Sequence, residues 1–360
     1  MLQYITRRIV LAVPVLVGIL FVTFALARLI PGDPCRAVLG ERATDAICDA
    51  FMERNGLNEP IPTQFGIYVK QIVVEQDLGT SFRFGRPVID IIVERLPTTI
   101  ELALAAMIFA TIFGVLFGII SAYWHNSPAD VSTMVGANIG VSIPVFVLGL
   151  LLQYIFALLL KDTILQLPPS GRLTSGITNP AFFEVWGWDI PEDTALYSLV
   201  SFIANLNFIN ALITANWTAF GDAAKHMLLP AIAVGTIPLA IIARITRSSL
   251  LEVLSLDYIR TARAKGLAEL GVVLRHGLSN AMLPVVTIVG LQLGSLLSGA
   301  VLTETIFNLS GLGRTLFEAI TARDYIVVQG FTLIVAVGFV LINLIVDISY
   351  AFLDPRIRLS

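Results

Sequence analysis

Along this chain, unbroken apolar stretches alternate with mixed polar ones on the length scale of a lipid bilayer. Six such stretches run over 9–30, 102–123, 131–160, 228–243, 282–302 and 326–353. The first opens with an uncharged run from Ile9 to Ala27, about 28 Å long at the helical rise. That spans hydrocarbon and exceeds a signal-peptide core. Ala25-Leu26-Ala27 imitates a signal-peptidase site, but the length predicts a retained first span. Thr98-Thr99-Ile100-Glu101, just after Pro97, has the form of a capping box and predicts where the second span begins. Pro144 in the third stretch, and Pro230 and Pro238 in the fourth, free backbone groups that neighbouring helices must satisfy. These helices therefore belong in a bundle.

A seventh stretch, 195–213, is nearly long enough to cross but carries Asn205, Asn207 and Asn210. Charge placement decides against it. With six spans, the segment 244–281, holding Arg244, Arg247, Arg260, Arg263, Lys265 and Arg275, lies on the side of Arg7 and Arg8. A seventh span would move it to the opposite side, against the positive-inside tendency. The tail, with Arg356 and Arg358, then also falls inside. The expectation is an all-α membrane protein of six transmembrane helices with both termini cytoplasmic. Two long external segments remain, 31–97 and 161–227, with 195–213 lying near the membrane surface. Composition agrees: 56% hydrophobic and 14% charged residues exclude a water-soluble globule. The net charge of −3 adds little, because placement matters more than the total.

Candidate chemistry is sparse. His125, His226 and His276 are far apart and form no zinc-binding pattern, and no Gly-Lys pair exists to cradle a phosphate. No catalytic residue, metal site or bound cofactor is expected. Cys35 and Cys48 exclude a four-thiolate metal site. Both fall in the first external segment, where disulfides persist, and are expected to be joined. The alternative is two unrelated small buried residues. Arg28, ending the first span, is read as a snorkelling side chain. Asn343 and Asp347, four apart on the sixth span, suit either a contact between helices or a proton relay. In the fifth span, Gly290 and Gly294 offer a close-packing face, whereas Gln292, Ser295 and Ser298 are candidates for lining a pathway. Gly114-xxx-Gly118 and Gly136-xxx-Gly140 repeat the small-residue spacing.

The chain has only four lysines, yet basic residues concentrate in 257–284, DYIRTARAKGLAELGVVLRHGLSNAMLP. Asp257 is placed to cap a helix from Tyr258 to Lys265, and Gly266 to supply its left-handed stop. A second helix is expected from about Ala268 to Leu278, ending near Ser279-Asn280, with Pro284 opening the next span. An ordinary solvated loop needs no such architecture.

DYIRTARAKGL followed by RHGLSNAMLPVVT resembles the cytoplasmic EAA loop of ABC importer permeases, in the form found in the dipeptide and oligopeptide branch. LIPGDP at 29–34, DLGTSF at 77–82, LPTTIELALAAMIFA at 96–110, LTETIF at 302–307 and NLIVDISYAFLDPRIR at 343–358 extend the likeness over nearly the whole chain. The resemblance implies the type I permease fold: a first helix and external loop over 1–97, then a five-helix core over 98–360 with an external insertion at about 161–227 and a coupling loop at about 244–281. It implies that Tyr258, Arg260, Thr261, Ala262, Arg263, Ala264, Lys265 and Gly266 dock into an ATP-hydrolysing subunit. The small residues Ala262 and Ala264 would enter a groove there. Its implied partners are a second homologous permease, two ATP-binding subunits carrying ATP and Mg, an external substrate-binding protein and the lipid of the cell inner membrane. Nothing points to nucleic acid. Di- and oligopeptides are the implied cargo, with haem, nickel complexes or glutathione as alternatives; an ion-coupled peptide carrier is the competing class. Two departures stand out. The run 260–264 replaces the acidic residue and paired alanines that name the loop, and Ser310 precedes Gly311-Leu312-Gly313-Arg314 where the family carries proline. Loss of that proline predicts a looser turn.

Overall fold

The computed structural model describes residues 2–29, 35–36, 40, 42–54, 56–192, 194–297 and 301–353. The described residues of the apolar stretches are helical, apart from a break at Ile143–Pro144 and a turn at Leu160. Helix α1 covers Leu2–Leu29. The first segment between spans holds α2 (Asp45–Arg54) and α3 (Ile61–Lys70), the latter ending in a π turn, Gln71–Glu75. Then come α4 (Val88–Tyr123), α5 (Pro128–Ser142) and α6 (Val145–Gln153), with a π turn over Tyr154–Leu159. The second long segment between spans carries α7 (Phe182–Val185), α8 (Ala195–Ala204) and α9 (Asn207–Ile213). The remaining elements are α10 (Trp217–Leu254), α11 (Asp257–Ala264) and α12 (Glu269–Gly271), which passes through a π turn (Val272–Leu278) into α13 (Ser279–Leu297). Helices α14 (Val301–Ile306), α15 (Leu312–Thr321) and α16 (Tyr325–Leu353) complete the chain.

Among the described residues, five helices are long and apolar enough to cross a membrane, and two bent pairs could each add one. The stretch 131–160 is one of those pairs: α5 and α6 meet at 100° at Pro144, whose ring and missing N–H stop the helical ladder. The stretch 195–213 is the other, with α8 and α9 at 93°. Two spans are longer than their apolar runs: α4 begins fourteen residues before its run, and α10 extends beyond its run at both ends. The capping-box reading fails for α4. That helix starts ten residues before Thr98, after Pro87, and absorbs Pro97; Thr99 and Glu101 turn to other elements, while the buried Thr98 hydroxyl has no partner among the described residues.

Directions follow from which residues meet. Gly114 lies against Ile242 and Gly118 against Thr246, while Gly235 touches Ala106, so α4 and α10 run parallel. The absent side chains let these backbones approach closely; a β-carbon at Gly118 would stand 2.8 Å from the Ala243 carbonyl oxygen. Gly136, by contrast, faces open space. Two parallel helices need a return between them. The pair α5–α6 provides one, since Asp130 meets Arg247, Gly140 meets Thr236, and Val145 packs near Ala231. Helix α13 runs opposite to α10, from Ala281 beside Leu250 to Leu296 beside Val234. Helices α1 and α16 are antiparallel, with Arg8 at Asp347 and Phe24 near Leu333.

One end of the bundle therefore gathers Arg8, the turn at 124–127, α11 and Asp347. The other gathers 35–87, 160–216 and 301–324. Helices α8 and α9 stay at that second end: Asn205 reaches the Val93 carbonyl and the Phe208 N–H donates to Glu101 at 2.9 Å. The asparagines that weighed against a seventh span are used there. Buried Asn210 accepts from Phe182 N–H at 2.9 Å and donates to the Pro180 carbonyl at 2.8 Å.

Candidate functional site

Helix α11 presents its basic face from a fixed base. Ile259 and Ala262 are its buried residues and pack with Val272 and Leu254. Ala262 is thus turned inward, away from any partner's groove. Tyr258, Arg260, Thr261, Arg263, Ala264, Lys265 and Gly266 are exposed. Asp257 is the first helical residue and makes no cap; it pairs with Arg260 at 3.2 Å. The helix stops as its glycine requires. Gly266 has φ +79°, its N–H donates to the Arg263 carbonyl and Leu267 N–H donates to that of Ala262, which is a Schellman closure.

Two links tie α11 to the segment 269–280, and a third holds that segment against α10. Tyr258 Oη donates to the His276 carbonyl at 3.2 Å and accepts from Asn280 Nδ2 at 2.8 Å, so it bridges to the π turn and to α13. The Arg263 guanidinium forks onto Glu269 at 2.7 and 3.0 Å. Gly277 sits so close to α10 that a β-carbon would stand 2.9 Å from Leu250 Cδ1. No break occurs at Ser279-Asn280, and the helix runs on through Pro284 to Leu297. Turn-to-turn continuity makes 269–297 one lever rather than two helices.

Two further constellations escape a reading from sequence alone. Near α11, Asp130 receives a bidentate pair from Arg247, both contacts at 2.8 Å, together with the Ser121 hydroxyl and Asn126 N–H. This ties the turn between α4 and α5 to α10. At the other end, Glu304 is fully buried and accepts from the Thr99 hydroxyl at 2.7 Å and Arg314 N–H at 2.9 Å. Burial pushes its carboxyl above the ordinary range, against the pull of those donors. Thr99 in turn accepts from Leu312 N–H at 2.8 Å. Glu304 and Thr99 thus cap α15 from other elements, and a β-carbon at Gly311 would strike the Glu304 carboxylate. Glu101, two residues after Thr99, pairs with Arg172 of the segment between α6 and α7 at 2.7 Å.

The remaining candidates divide. Gly290 and Gly294 face α16, at Val346 and at Phe339 and Ile342. Gln292 is half-buried, Ser295 is exposed and Ser298 lies outside the described residues. Asn343 donates to the Phe339 carbonyl on its own helix at 2.9 Å, and Asp347 pairs with Arg8 at 3.1 Å. Arg28 does not snorkel freely: its Nε donates to Gln64 at 2.5 Å and its guanidinium lies 3.4 Å from the Phe24 ring centroid. Cys35 and Cys48 are joined by a disulfide that anchors α2, with Cα atoms 5.3 Å apart. No group of three metal-ligating side chains occurs among the described residues. The LIPGDP motif from position 30 on, and the tail from 354, lie outside the described residues.

Residues 114–359 match the family described as binding-protein-dependent transport system inner membrane component, and residues 1–103 match the N-terminal family of the same membrane components. A dipeptide transport system permease protein of Alkalihalophilus pseudofirmus is 47% identical over 99% of this chain and 100% of its own length. The dipeptide transport system permease protein of Escherichia coli K12 is 43% identical over 99% of both chains. A glutathione transport system permease protein of Escherichia coli O6:H1 is 37% identical, again over 99% of both.

Proposed function

The chain belongs to the inner-membrane components of binding-protein-dependent transport systems, and from this premise we propose that it forms half of the pathway through which an ATP-driven importer moves dipeptides. It is a permease subunit of an ABC importer, with ATP hydrolysis on separate subunits. The dipeptide cargo is supported by relatives of that name at 43% and 47% identity, above the 37% of the glutathione relative. In this reading the chain binds no cofactor itself. It pairs with a second homologous permease, two ATP-binding subunits holding ATP and Mg, and an external substrate-binding protein. Six crossings put both termini and α11 in the cytoplasm, with α8 and α9 outside. The charge asymmetry and the parallel run of α4 and α10 support that topology.

The observation that carries the mechanism is the pairing of an exposed basic face with a fixed base in α11. The ATP-binding subunits grip Arg260, Thr261, Arg263, Ala264, Lys265 and Gly266. Their closure displaces α11, and Tyr258 and the Ile259–Val272 contact pass the motion to α13 and α10. The bundle then exchanges inward-open for outward-open arrangements, each partner favouring one. Gln292, Ser295 and Ser298 line the pathway, while Gly290 and Gly294 hold α13 to α16.

Gly266→Val tests this directly, because a β-branched side chain resists φ > 0. In proteoliposomes holding the assembled importer, the variant should assemble, yet lose most binding-protein-stimulated ATP hydrolysis and dipeptide uptake. Normal coupling in the variant overturns the role of α11. Uptake by this chain alone, driven by a proton gradient without ATP, overturns the importer reading.

A further inference from the structure

A cavity of about 1110 Å³ lies at the outer end of the bundle, between the end of α1, the segment 47–85 and the start of α16. Three of its wall residues are donors that the fold leaves incomplete. Arg28 has Gln64 as its side-chain partner, but no carboxylate pairs with it among the described residues. Tyr68 and Gln329 are only 7% and 2% exposed, and neither Tyr68 Oη nor Gln329 Nε2 has a hydrogen-bond partner among the described residues. A buried donor without an acceptor destabilises the fold, because it has given up its hydrogen bonds to water without replacement. Two such donors on one cavity wall, beside an arginine whose acceptors are neutral oxygens, point to an acceptor supplied from outside the chain.

The acceptor's class follows from the donors. A guanidinium, a phenol and an amide N–H together suit an anion rich in acceptor oxygens. Glu53 and Arg54, the other charges on the wall, are exposed and opposite in sign. Position then selects the source. Arg28 follows the apolar run of α1 directly, which sets it at headgroup depth. Helix α1 is also the bundle's periphery, with Val13, Val17 and Val22 about half exposed. The cavity's rim is apolar: Ile47 and Ile67 are 52% and 56% exposed, and the adjoining Val73 and Val74 are 70% and 68% exposed. Such a rim suits acyl chains and is costly in water.

We infer that this cavity holds the phosphate of a membrane phospholipid, bound by Arg28, Tyr68 and Gln329 beneath the first outer segment. The lipid thereby fastens α2 and α3 to the ends of α1 and α16. This rests on the chain being a membrane permease, and on neither its cargo nor its coupling.

The test uses the assembled complex purified in detergent, with bound phospholipid counted by phosphorus assay and native mass spectrometry. Arg28→Gln and Gln329→Leu are compared with the parent. Gln329→Leu removes an amide N–H that has no partner among the described residues, so it should spare the fold, and the test survives if Arg28→Gln fails to assemble. Each variant that assembles should retain about one phospholipid fewer per chain. Added phosphatidylglycerol should raise the melting temperature of the parent and not of the variants. Equal phospholipid in parent and Gln329→Leu overturns the inference. So does stabilisation of the parent alone by inorganic phosphate, or by a dipeptide, at the level the lipid gives. Transport is not the readout, so failure here leaves the importer reading intact.

Discussion

Removing one oxygen from Tyr258 should damage coupling far more than it damages the fold. Tyr258→Phe deletes the hydroxyl that accepts from Asn280 at 2.8 Å and donates to the His276 carbonyl at 3.2 Å. The ring itself stays, and so does the buried contact of Ile259. A net hydrogen bond contributes about 0.5–1.5 kcal/mol. Because Tyr258 is 41% exposed, its former partners rehydrate and the low end applies, about 1–2 kcal/mol for the two together. If the same link transmits α11 to α13, that loss lowers the fraction of productive ATP cycles by about five- to thirtyfold, since about 1.4 kcal/mol is a factor of ten. The assay is the ratio of dipeptide taken up to ATP hydrolysed in proteoliposomes. Asn280→Ala cuts the link from the other side, so the double variant should be no worse than the stronger single one. Losses that multiply in the double variant, or an unchanged ratio in Tyr258→Phe, refute the transmission route.

Three other outcomes are expected. Gly118→Val should cost about 1–3 kcal/mol through overpacking against the Ala243 carbonyl and Thr246, whereas Gly136→Val, facing open space, should be neutral; melting of the detergent-solubilised complex separates them. Glu304→Ala strands the Thr99 hydroxyl and Arg314 N–H, each at about 1–3 kcal/mol, and should loosen α15 so that trypsin applied from outside cuts after Arg314; unchanged protection refutes the cap. Without reductant, Cys35 and Cys48 should resist alkylation, and Cys35→Ser should destabilise the first outer segment by up to about 3 kcal/mol, read as faster proteolysis there.

What was legible in the sequence was whatever solvent alone dictates. Hydrocarbon leaves a chain no choice but to satisfy its backbone internally, so apolar runs of bilayer length had to be helices. Gly266 was legible for a similar reason: a helix that must end before a basic loop favours a residue free to take φ +79°. The failures share a different cause. Thr98–Glu101 reads as a capping box because that pattern is local, yet its true partners lie far along the chain, Thr99 to Glu304 across 205 residues and Glu101 to Arg172 across 71. Likewise, Ala262 looks like an inserting residue until Val272 is seen to cover it. No local pattern announces either contact.

Ser310 shows how such a distant contact can replace a local restraint. Losing a proline predicts a looser turn before Gly311, because the fixed φ is gone. The structure instead closes that turn from outside: Thr99 holds Leu312 N–H, Glu304 holds Arg314 N–H, and Gly311 has no side chain so that the carboxylate can come near. These bonds restrain the same few torsions that proline's ring would, and they do more, since they couple α15 to α4 and α14. A substitution at Glu304 should therefore reach the outer ends of three helices at once, whereas Ser310→Pro should change little.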